Sequence, residues 1–340
     1  MRLGAYFVFD EAAAMAPVAE QLGYELGLVA EGYVTEAAVA LGAAAAGTSR
    51  LGLASGVFEI PARTPVMTAM TAASLDAISG GRFVLGLGVA NAQVSEGWHG
   101  VPFEQPLART REYVEVLRLA LSGQPVSYRG EHLRLAPAGG PWAPFTLRVP
   151  GARPDLPIYL AAVGPRNVEL AGEIADGWIG NFCAPERLAE NLDLLERGRR
   201  KAGRDLTGFD VLLSVPAVVA EDPETAAGPV RHYVSRFVSL GRREGNFYYR
   251  HLERLGYGAE AALVQERFLA GDPAGAAAAV PFEFLDRIAL LGPPRRIAER
   301  LREYEKAGVT TLAVSPLNPT SEQRRHTLTG VATAYRLLND

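Results

Sequence analysis

The amino-acid sequence predicts a single α/β domain, a (β/α)8 TIM barrel with insertions that spans residues 1–340. Short apolar runs alternate with helical patterns along most of the chain, which is typical of parallel strands joined by helices. Eight such runs occur, and a length of 340 residues suits an eight-unit barrel with additional segments. The competing architecture is an open doubly wound sheet, whose first strand normally leads into a Gly-x-Gly turn. Here the first strand leads into Val8-Phe9-Asp10-Glu11, without glycine, so the barrel is favoured.

Four strand–helix units account for the first part of the chain, and glycine follows each predicted helix. Gly23, Gly47, Gly80 and Gly123 mark these ends, since glycine readily adopts the left-handed conformation that terminates a helix. The predicted strands are residues 3–8, 26–30, 51–55 and 83–89. The predicted helices are residues 11–22, 36–46, 65–78 and 107–121.

The second part of the chain is less regular but returns to the same alternation. Residues 126–135 predict a small hairpin, and residues 137–157 predict a loop rich in proline and glycine. The predicted strands are residues 158–162, 177–179, 209–219 and 310–315. The predicted helices are residues 166–175, 185–202, 295–307 and 322–338. Residues 225–284 interrupt the alternation, and we interpret them as an insertion of helices and loops.

The composition argues against several classes of protein. The net charge is −4 at pH 7 and no long basic stripe occurs, so a nucleic-acid partner is not expected. The single cysteine, Cys183, excludes an intramolecular disulfide and is typical of a reduced cytoplasmic protein. The apolar run of residues 37–47 is far shorter than the ~20 residues that cross a bilayer, and the first residues do not resemble a secretory signal. We therefore expect a cytoplasmic protein without a membrane partner.

The active site of a barrel lies at the carboxyl ends of its strands, so the residues after each strand are its candidates. The five histidines have no zinc-ligand spacing, and no metal site is expected. After the second strand, Glu31 is a candidate general acid or, alternatively, a charge that begins the next helix. After the fourth strand, the loop Glu96-Gly97-Trp98-His99-Gly100 contains His99, a candidate proton carrier because imidazole titrates near ~6.5. In the alternative interpretation, Trp98 plugs the barrel rim and His99 caps a backbone group.

Three glycine-containing segments are candidates for ligand contact. Gly164-Pro165-Arg166-Asn167 joins a strand to a helix, and the free N–H groups and positive dipole there suit a phosphate, although an ordinary turn has the same pattern. Gly56, at the end of the third strand, permits a bulge or unusual backbone geometry. Gly86-Leu87-Gly88 lies inside a strand, which favours close packing or space for a flat ligand over a nucleotide-binding loop.

Several segments together resemble the luciferase-like monooxygenase superfamily and, within it, the branch of F420-dependent oxidoreductases. The most specific are Ser79-Gly80-Gly81-Arg82-Phe83 and Glu96-Gly97-Trp98-His99-Gly100. Further matching segments are Ala30-Glu31-Gly32-Tyr33, Arg63-Thr64-Pro65, Arg111-Glu112-Tyr113, Ala162-Val163-Gly164-Pro165-Arg166-Asn167 and Leu291-Gly292-Pro293-Pro294. The resemblance spans nearly the whole chain and fails mainly in residues 225–284.

The resemblance implies that a flat flavin or deazaflavin ring lies across the barrel mouth. In relatives a cis peptide bond that precedes a residue other than proline commonly backs this ring, and Gly56-Val57 is the matching position. Glu31, Glu59 and Asn91 match positions that contact the ring or its side chain.

The resemblance also implies where the cofactor phosphate binds. The matching turn residues are Gly164, Pro165, Asn167 and Val168. Two positions depart from the pattern of the family: Gly32 stands where some relatives have histidine, and Asn91 stands where some have glutamate. The acid–base pair of those relatives is therefore not transferred to this chain.

Three functions follow as hypotheses. The first is an F420-dependent oxidoreductase that transfers hydride between the deazaflavin ring and a small organic substrate, with Glu31 or His99 handling the proton. The second is an FMN-dependent monooxygenase that uses reduced flavin and oxygen. The third is a barrel without catalysis that serves as a binding subunit.

Three further expectations concern the surroundings of the site. The insertion of residues 225–284 would close over the mouth as a lid. A basic rim would favour F420, which has an anionic tail, and its candidates are Arg166, Arg231, Arg236, Arg242, Arg243 and Arg250. The alanine-rich helices of residues 36–46 and 67–77 would pack against a second copy in a homodimer or, alternatively, against their own strands.

Overall fold

The strands close into a parallel barrel in the computed structural model, which describes residues 1–33, 35–241 and 243–338. In chain order the strands are β1 (Arg2–Phe7), β2 (Leu26–Val29), β3 (Gly52–Ser55), β4 (Phe58–Glu59), β5 (Phe83–Gly88), β6 (Tyr128–Arg129), β7 (Arg134–Leu135), β8 (Ile158–Ala161), β9 (Gly177–Asn181), β10 (Asp210–Val219), β11 (Leu290–Gly292) and β12 (Thr311–Pro316). The ring runs β1, β2, β3, β5, β8, β9, β10 and β12, and it closes where β12 pairs with β1. The predicted eight-stranded barrel is confirmed.

Helices surround the barrel and also fill the segment between β10 and β11. In chain order the α-helices are α1 (Ala12–Leu22), α2 (Ala37–Ala46), α3 (Pro65–Ile78), α4 (Ala92–Gly97), α5 (Pro106–Leu121), α6 (Pro165–Ile174), α7 (Leu188–Lys201), α8 (Pro223–Ser239), α9 (Phe247–Arg254), α10 (Gly258–Leu269), α11 (Pro273–Ala278), α12 (Phe282–Ile288), α13 (Pro294–Lys306) and α14 (Ser321–Arg336).

Side chains on each strand alternate between the barrel interior and the layer of helices, because successive strand residues point to opposite faces. On β1, Leu3 and Phe7 pack into the main core between strands and helices. Leu28, Tyr159 and Ile179 belong to a separate cluster inside the barrel. Large side chains thus fill the barrel interior below the carboxyl ends of the strands. Space for a ligand is expected at the carboxyl ends.

Three short elements differ from the sequence prediction. β4 and β11 were not expected; they pair with the ends of β5 and β10 outside the ring. The prediction of a loop that begins at Glu96 is wrong in part, since α4 begins at Ala92 and includes Glu96 and Gly97. Asn91 explains this helix, because its side chain accepts the N–H of Val94 and caps the first turn.

The five helices between β10 and β11 have their own hydrophobic core. Val230, Tyr249 and Phe284 are buried in it, together with Phe182 from the end of β9. Asn246 joins two of these helices: its Oδ1 accepts the N–H of Tyr249 over 2.9 Å. Its Nδ2 donates to backbone carbonyls at the end of α8. We name this segment, Pro223 to Ile288, the helical insertion.

Candidate functional site

The floor of the barrel mouth consists of residues with little or no side chain. Gly56, Gly88 and Ala161 occupy inward-facing positions near the carboxyl ends of β3, β5 and β8. A Cβ added to Gly88 would lie 2.6 Å from Cγ2 of Val57, and one added to Gly56 would lie 2.6 Å from the Tyr6 ring. Gly56, Val57 and Ala161 are nevertheless partly exposed to solvent. The floor is therefore closely packed from below and presents small, partly exposed surfaces, which suit a flat ligand.

The peptide bond between Gly56 and Val57 is cis, so this expectation from the family resemblance is confirmed. The neighbouring backbone is held on both sides. The N–H of Gly56 donates to the carbonyl of Val29 over 2.8 Å, and the carbonyl of Val57 accepts the N–H of Glu31 over 3.1 Å. The ends of β2 and β3 are thereby fixed relative to each other at the floor of the mouth.

The carboxylate of Glu31 is held by an arginine and a backbone group. Nη2 of Arg63 donates to it over 2.6 Å, and the N–H of Glu59 donates over 2.9 Å. Arg63 also pairs with Glu36 and lies over the ring of Phe58, with its guanidinium carbon 4.6 Å from the centroid. The side chain of Glu31 is 7% exposed. These contacts position Glu31 as a buried anchor between the loops after β2 and β3.

The alternative interpretation of Glu31, as a charge that begins the next helix, is not supported, because Glu36 is the residue at the start of that helix. Glu36 caps α2 by accepting the N–H of Val39 over 2.8 Å.

Glu59 and His99 form a side-chain pair at the edge of the mouth. Nε2 of His99 lies 3.1 Å from Oε2 of Glu59, and the two side chains are 20% and 12% exposed. Burial raises the pKa of Glu59 above its usual value; His99 opposes this shift and the charge of Glu31 adds to it. The pair is thus a carboxyl group with raised proton affinity in direct contact with an imidazole, an arrangement suited to holding and passing a proton.

The short helix α4 determines where His99 lies. Asn91 caps this helix, and Trp98 ends it immediately before His99. The interpretation of Trp98 as a plug of the barrel rim is wrong, because its side chain is 64% exposed to solvent. The interpretation of His99 as a backbone cap is not supported either, since its ring nitrogen contacts the carboxylate of Glu59.

The turn at Gly164 leaves the start of α6 open. Gly164 is the N-cap residue, Pro165 is the first helical residue, and no side chain among the described residues caps this end. A Cβ added to Gly164 would meet no atom within 4 Å. Asn167 is anchored loosely, with Nδ2 3.5 Å from the carbonyl of Ala161, and its Oδ1 is buried without a partner in the described part of the chain. Val168 is fully buried and fixes the helix against the barrel.

The helical insertion reaches across the carboxyl ends of several strands. Nη2 of Arg236 donates to the Tyr33 hydroxyl over 2.8 Å, beyond β2. The rings of Phe247 and Phe103 have centroids 6.3 Å apart, beyond β5. Nη2 of Arg254 donates to the carbonyl of Val163 over 3.4 Å, beyond β8. The insertion is therefore positioned above the mouth, where a lid would have to be.

The arginines expected to form a basic rim have different environments. Two pair within the insertion: Arg231 with Glu224 and Arg243 with Glu253. Arg236 binds Tyr33, Arg166 and Arg250 are exposed, and Arg242 lies outside the described residues. Sequence reasoning missed Arg254, which lies beside the Gly164 turn; burial and the neighbouring Arg250 lower its pKa. Only its place four residues after Arg250, on one helix face, could have indicated it.

Four aromatic rings form a group beside the mouth that the sequence analysis did not identify. They are Phe182, after β9, and Tyr233, Phe237 and Tyr248 of the insertion. Nδ2 of Asn181 lies 3.4 Å from the hydroxyl of Tyr248. The available signal was the aromatic density of Asn246-Phe247-Tyr248-Tyr249. We name these four rings the aromatic group.

The described residues contain neither a metal-binding cluster nor a membrane-spanning helix. No group of three or more histidine, cysteine, aspartate or glutamate side chains in the described chain is arranged to hold a metal ion. No helix within the described residues combines the length and apolar character needed to cross a membrane.

Known proteins resemble this chain over most of its length. Over 314 residues, 89% of this chain and 90% of the relative, it is 33% identical to a Mycobacterium tuberculosis protein provisionally named a coenzyme F420-dependent oxidoreductase. It is 32% identical over 258 residues, 75% of this chain and 74% of the relative, to the 5,10-methylenetetrahydromethanopterin reductase of Archaeoglobus fulgidus. The solved structure of the coenzyme F420-dependent tetrahydromethanopterin reductase of Methanopyrus kandleri matches with a TM-score of 0.82, covering 97% of each chain at 27% identity.

A family model described as luciferase-like monooxygenase matches residues 2–311. The match includes every strand of the barrel ring through the start of β12. The resemblance inferred from the sequence motifs is thereby confirmed, and the chain belongs to the luciferase-like monooxygenase family.

Proposed function

We propose that this protein is an F420-dependent oxidoreductase acting on a small organic substrate. The observation that carries the proposal is the floor of the mouth, where Gly56, Val57 and Ala161 present small surfaces that are partly exposed to solvent. A flat tricyclic ring fits such a floor, with Val57 and Asn91 at its edge. The similarity to proteins named for coenzyme F420 supports this cofactor over others.

The turn after β8 supports the same proposal, because it suits an anionic side chain of a cofactor. The uncapped start of α6 at Gly164 offers the N–H of Arg166 and the positive end of the helix dipole. Arg254 and Arg250 add positive charge beside it. The buried Oδ1 of Asn167 needs a donor, which a hydroxyl of the cofactor side chain would supply.

When bound, F420 would exchange a hydride with a carbon of the substrate. The residues of this chain would orient the substrate, hold or pass the proton, and keep water away from the reacting atoms. We assign the proton to Glu59 and His99, since the pair has one buried carboxyl group in contact with an imidazole. Glu31 would act by positioning, because Arg63 and the N–H of Glu59 hold its carboxylate. The helical insertion would exclude water from the mouth.

An FMN-dependent monooxygenase is the second candidate, because the open start of α6 suits the phosphate of FMN as well. The two candidates differ in the charge beyond the phosphate, where F420 has further carboxylates and FMN ends. Arg250 and Arg254 therefore favour F420. We further propose a cytoplasmic location, in which Cys183, which is buried and unpaired, stays reduced.

Titration of the purified protein with F420 and with FMN tests the proposal. We expect micromolar binding of F420, followed by its fluorescence, and at least tenfold weaker binding of FMN. Tighter FMN binding with NADH-driven oxygen uptake would establish the second candidate. Binding of neither cofactor would leave a barrel without redox catalysis.

A further inference from the structure

The aromatic group forms a preorganised apolar wall at the barrel mouth. Phe237 lies between Tyr233 and Tyr248, with ring centroids 4.8 Å from each. Phe182 packs edge-on beneath them, with its centroid 5.6 Å from that of Phe237 at an interplanar angle of 89°. Tyr233, Phe237 and Tyr248 are partly exposed, whereas Phe182 is fully buried. The wall therefore presents ring surface to solvent on a rigid base.

The wall is held in place from behind. Asn246 is buried, and its amide joins the end of α8, which carries Phe237, to the start of α9, which carries Tyr248. His251 on α9 contacts the carbonyl of Phe182 through Nε2 over 3.0 Å. Because its side chains are fixed, the wall would lose little conformational entropy when a ligand binds.

The phenol groups of the wall have protons available for a ligand. Nδ2 of Asn181 donates to the oxygen of Tyr248 over 3.4 Å. A phenol oxygen that accepts from the amide keeps its own O–H to donate elsewhere. The ring of Tyr6 borders Gly56. Burial raises the pKa of Tyr6, and a charge on Tyr248 would raise it further, so the two phenol groups lie near each other. The donors are thus beside the floor on which the cofactor ring is proposed to lie.

The aromatic group itself carries no charged side chain, since its members are phenylalanine and tyrosine. The nearby cation Arg236 lies outside the aromatic group and directs Nη2 to the hydroxyl of Tyr33. Burial lowers the pKa of His251, so this imidazole is neutral near pH 7. A carboxylate placed against the wall would lose water without gaining a partner, whereas an uncharged ring would lose nothing comparable.

We infer that the substrate site is the aromatic group, and that it takes an uncharged molecule with a flat or cyclic apolar body and one carbonyl-type acceptor that binds the Tyr233 and Tyr248 hydroxyls. This inference rests on the proposed function for the cofactor that would lie beside it. The ring would stack against Phe237, and the acceptor would point toward Asn181 and Tyr6.

Matched ligands test the charge preference. Methyl 4-acetylbenzoate and 4-acetylbenzoate share a ring and a ketone, and they differ in one negative charge. We expect the ester to bind protein saturated with oxidised F420 at least tenfold more tightly than the carboxylate, measured by calorimetry. Equal affinity, or tighter binding of the carboxylate, would overturn the inference.

Matched variants test the location. Tyr233→Phe and Tyr248→Phe keep the ring and remove one donor, and each should weaken ester binding about fivefold to tenfold, as expected for one hydrogen bond. Tyr257→Phe is the control, because Tyr257 packs on Phe284 outside the aromatic group. The inference fails if the three variants bind the ester alike.

A cofactor titration keeps the two proposals apart. All variants should bind F420 as the unmodified protein does, since none of the substituted groups contacts the proposed cofactor turn. If F420 does not bind at all, the proposed function fails, and the ligand pair is then measured on the protein alone. A preference for the ester, together with ester binding that weakens fivefold to tenfold in Tyr248→Phe, would still support the site.

Discussion

At the residue scale, the Glu59 and His99 pair offers a direct test of proton handling. Burial raises the pKa of Glu59, so this carboxyl group loses its proton at higher pH than an ordinary glutamate. If ionised Glu59 is needed to orient His99, activity should fall as the pH drops through this raised pKa. Glu59→Gln should lower kcat about 10²-fold or more. Its pH profile should also lack the acidic limb, which is the fall in activity at low pH. Oxidation of reduced F420, followed by absorbance, gives both profiles.

The control for this prediction is Glu31→Gln. Its carboxylate binds Arg63 and a backbone N–H, so its substitution should reduce thermal stability. The acidic limb should remain but move to lower pH, because the charge of Glu31 raises the pKa of Glu59. An acidic limb that persists in Glu59→Gln and disappears in Glu31→Gln would assign the proton to Glu31 instead.

Glu20 provides a prediction about stability. Its carboxylate accepts the backbone N–H groups of Ser49, Arg50 and Leu51 over 3.1, 2.7 and 2.7 Å. These bonds lower its pKa from 4.5 to about 2. A lowered pKa means that the ionised form is stabilised in the folded state, so the stabilisation is complete above about pH 4.5 and is lost as the pH falls toward 2.

We therefore expect Glu20→Gln to cost about 1.5–3 kcal/mol of unfolding free energy at pH 7, the range for hydrogen bonds to a charged group. Urea unfolding of both proteins at pH 7 and at pH 4 measures the effect. The difference in unfolding free energy between the two proteins should be smaller at pH 4 than at pH 7. If the difference in unfolding free energy between the two proteins is the same at pH 7 and at pH 4, the charge of Glu20 does not cause it.

The pairing of residues shows what sequence reasoning could not reach. Glu59, His99 and Glu31 were each identified by their places after strands, but their partners were not. His99 and Glu59 are separated by 40 positions, and Arg63 and Glu31 by 32. Such contacts depend on how the loops fold over the mouth, and a single sequence contains no periodic signal for them.

At the element scale, the ring strands were predictable because each is bounded by a helix with a clear end. Gly23, for example, has a φ of 91°, the left-handed conformation expected after α1. The elements that were missed are short. β4 has two residues and β11 has three, too few for a pattern of alternation. α4 has six residues, and its signal was the single cap Asn91.

At the open start of α6, substitution of Gly164 should change F420 binding. Gly164 has φ −78° and ψ 144°, a conformation that any residue adopts, and a Cβ there meets no atom within 4 Å. Aspartate and asparagine would each cap the helix and should keep or slightly raise its stability. Gly164→Asp should also repel the phosphate and weaken F420 binding at least about tenfold more than Gly164→Asn does.

Fluorescence titration with F420 and thermal unfolding measure the two effects separately. Because aspartate and asparagine have the same shape, the comparison isolates charge from occupancy of the N–H groups. Equal F420 affinity in both variants would place the phosphate away from this turn.

At the scale of the whole molecule, one surface lacks the charges expected of a helix facing water. α2 contains no charged residue, and α3 contains only Asp76, which is buried and pairs with Arg153. The two helices pack side by side. Val39, Met67, Met70 and Ile78 are between 45% and 68% exposed on them. Surface helices normally carry polar residues on their outer face, so this surface indicates a partner.

We propose that the partner is a second copy of the chain, because a two-fold interface places the same surface on both sides and an uncharged surface does not repel itself. Met70→Glu would then introduce two charges into one apolar interface. The unmodified protein should have twice the mass of one chain in light scattering at micromolar concentration, and Met70→Glu should be monomeric. Leu269→Glu, at a site 74% exposed on the insertion, should remain dimeric. A monomeric unmodified protein would contradict the proposal and leave the apolar surface of α2 and α3 to another partner.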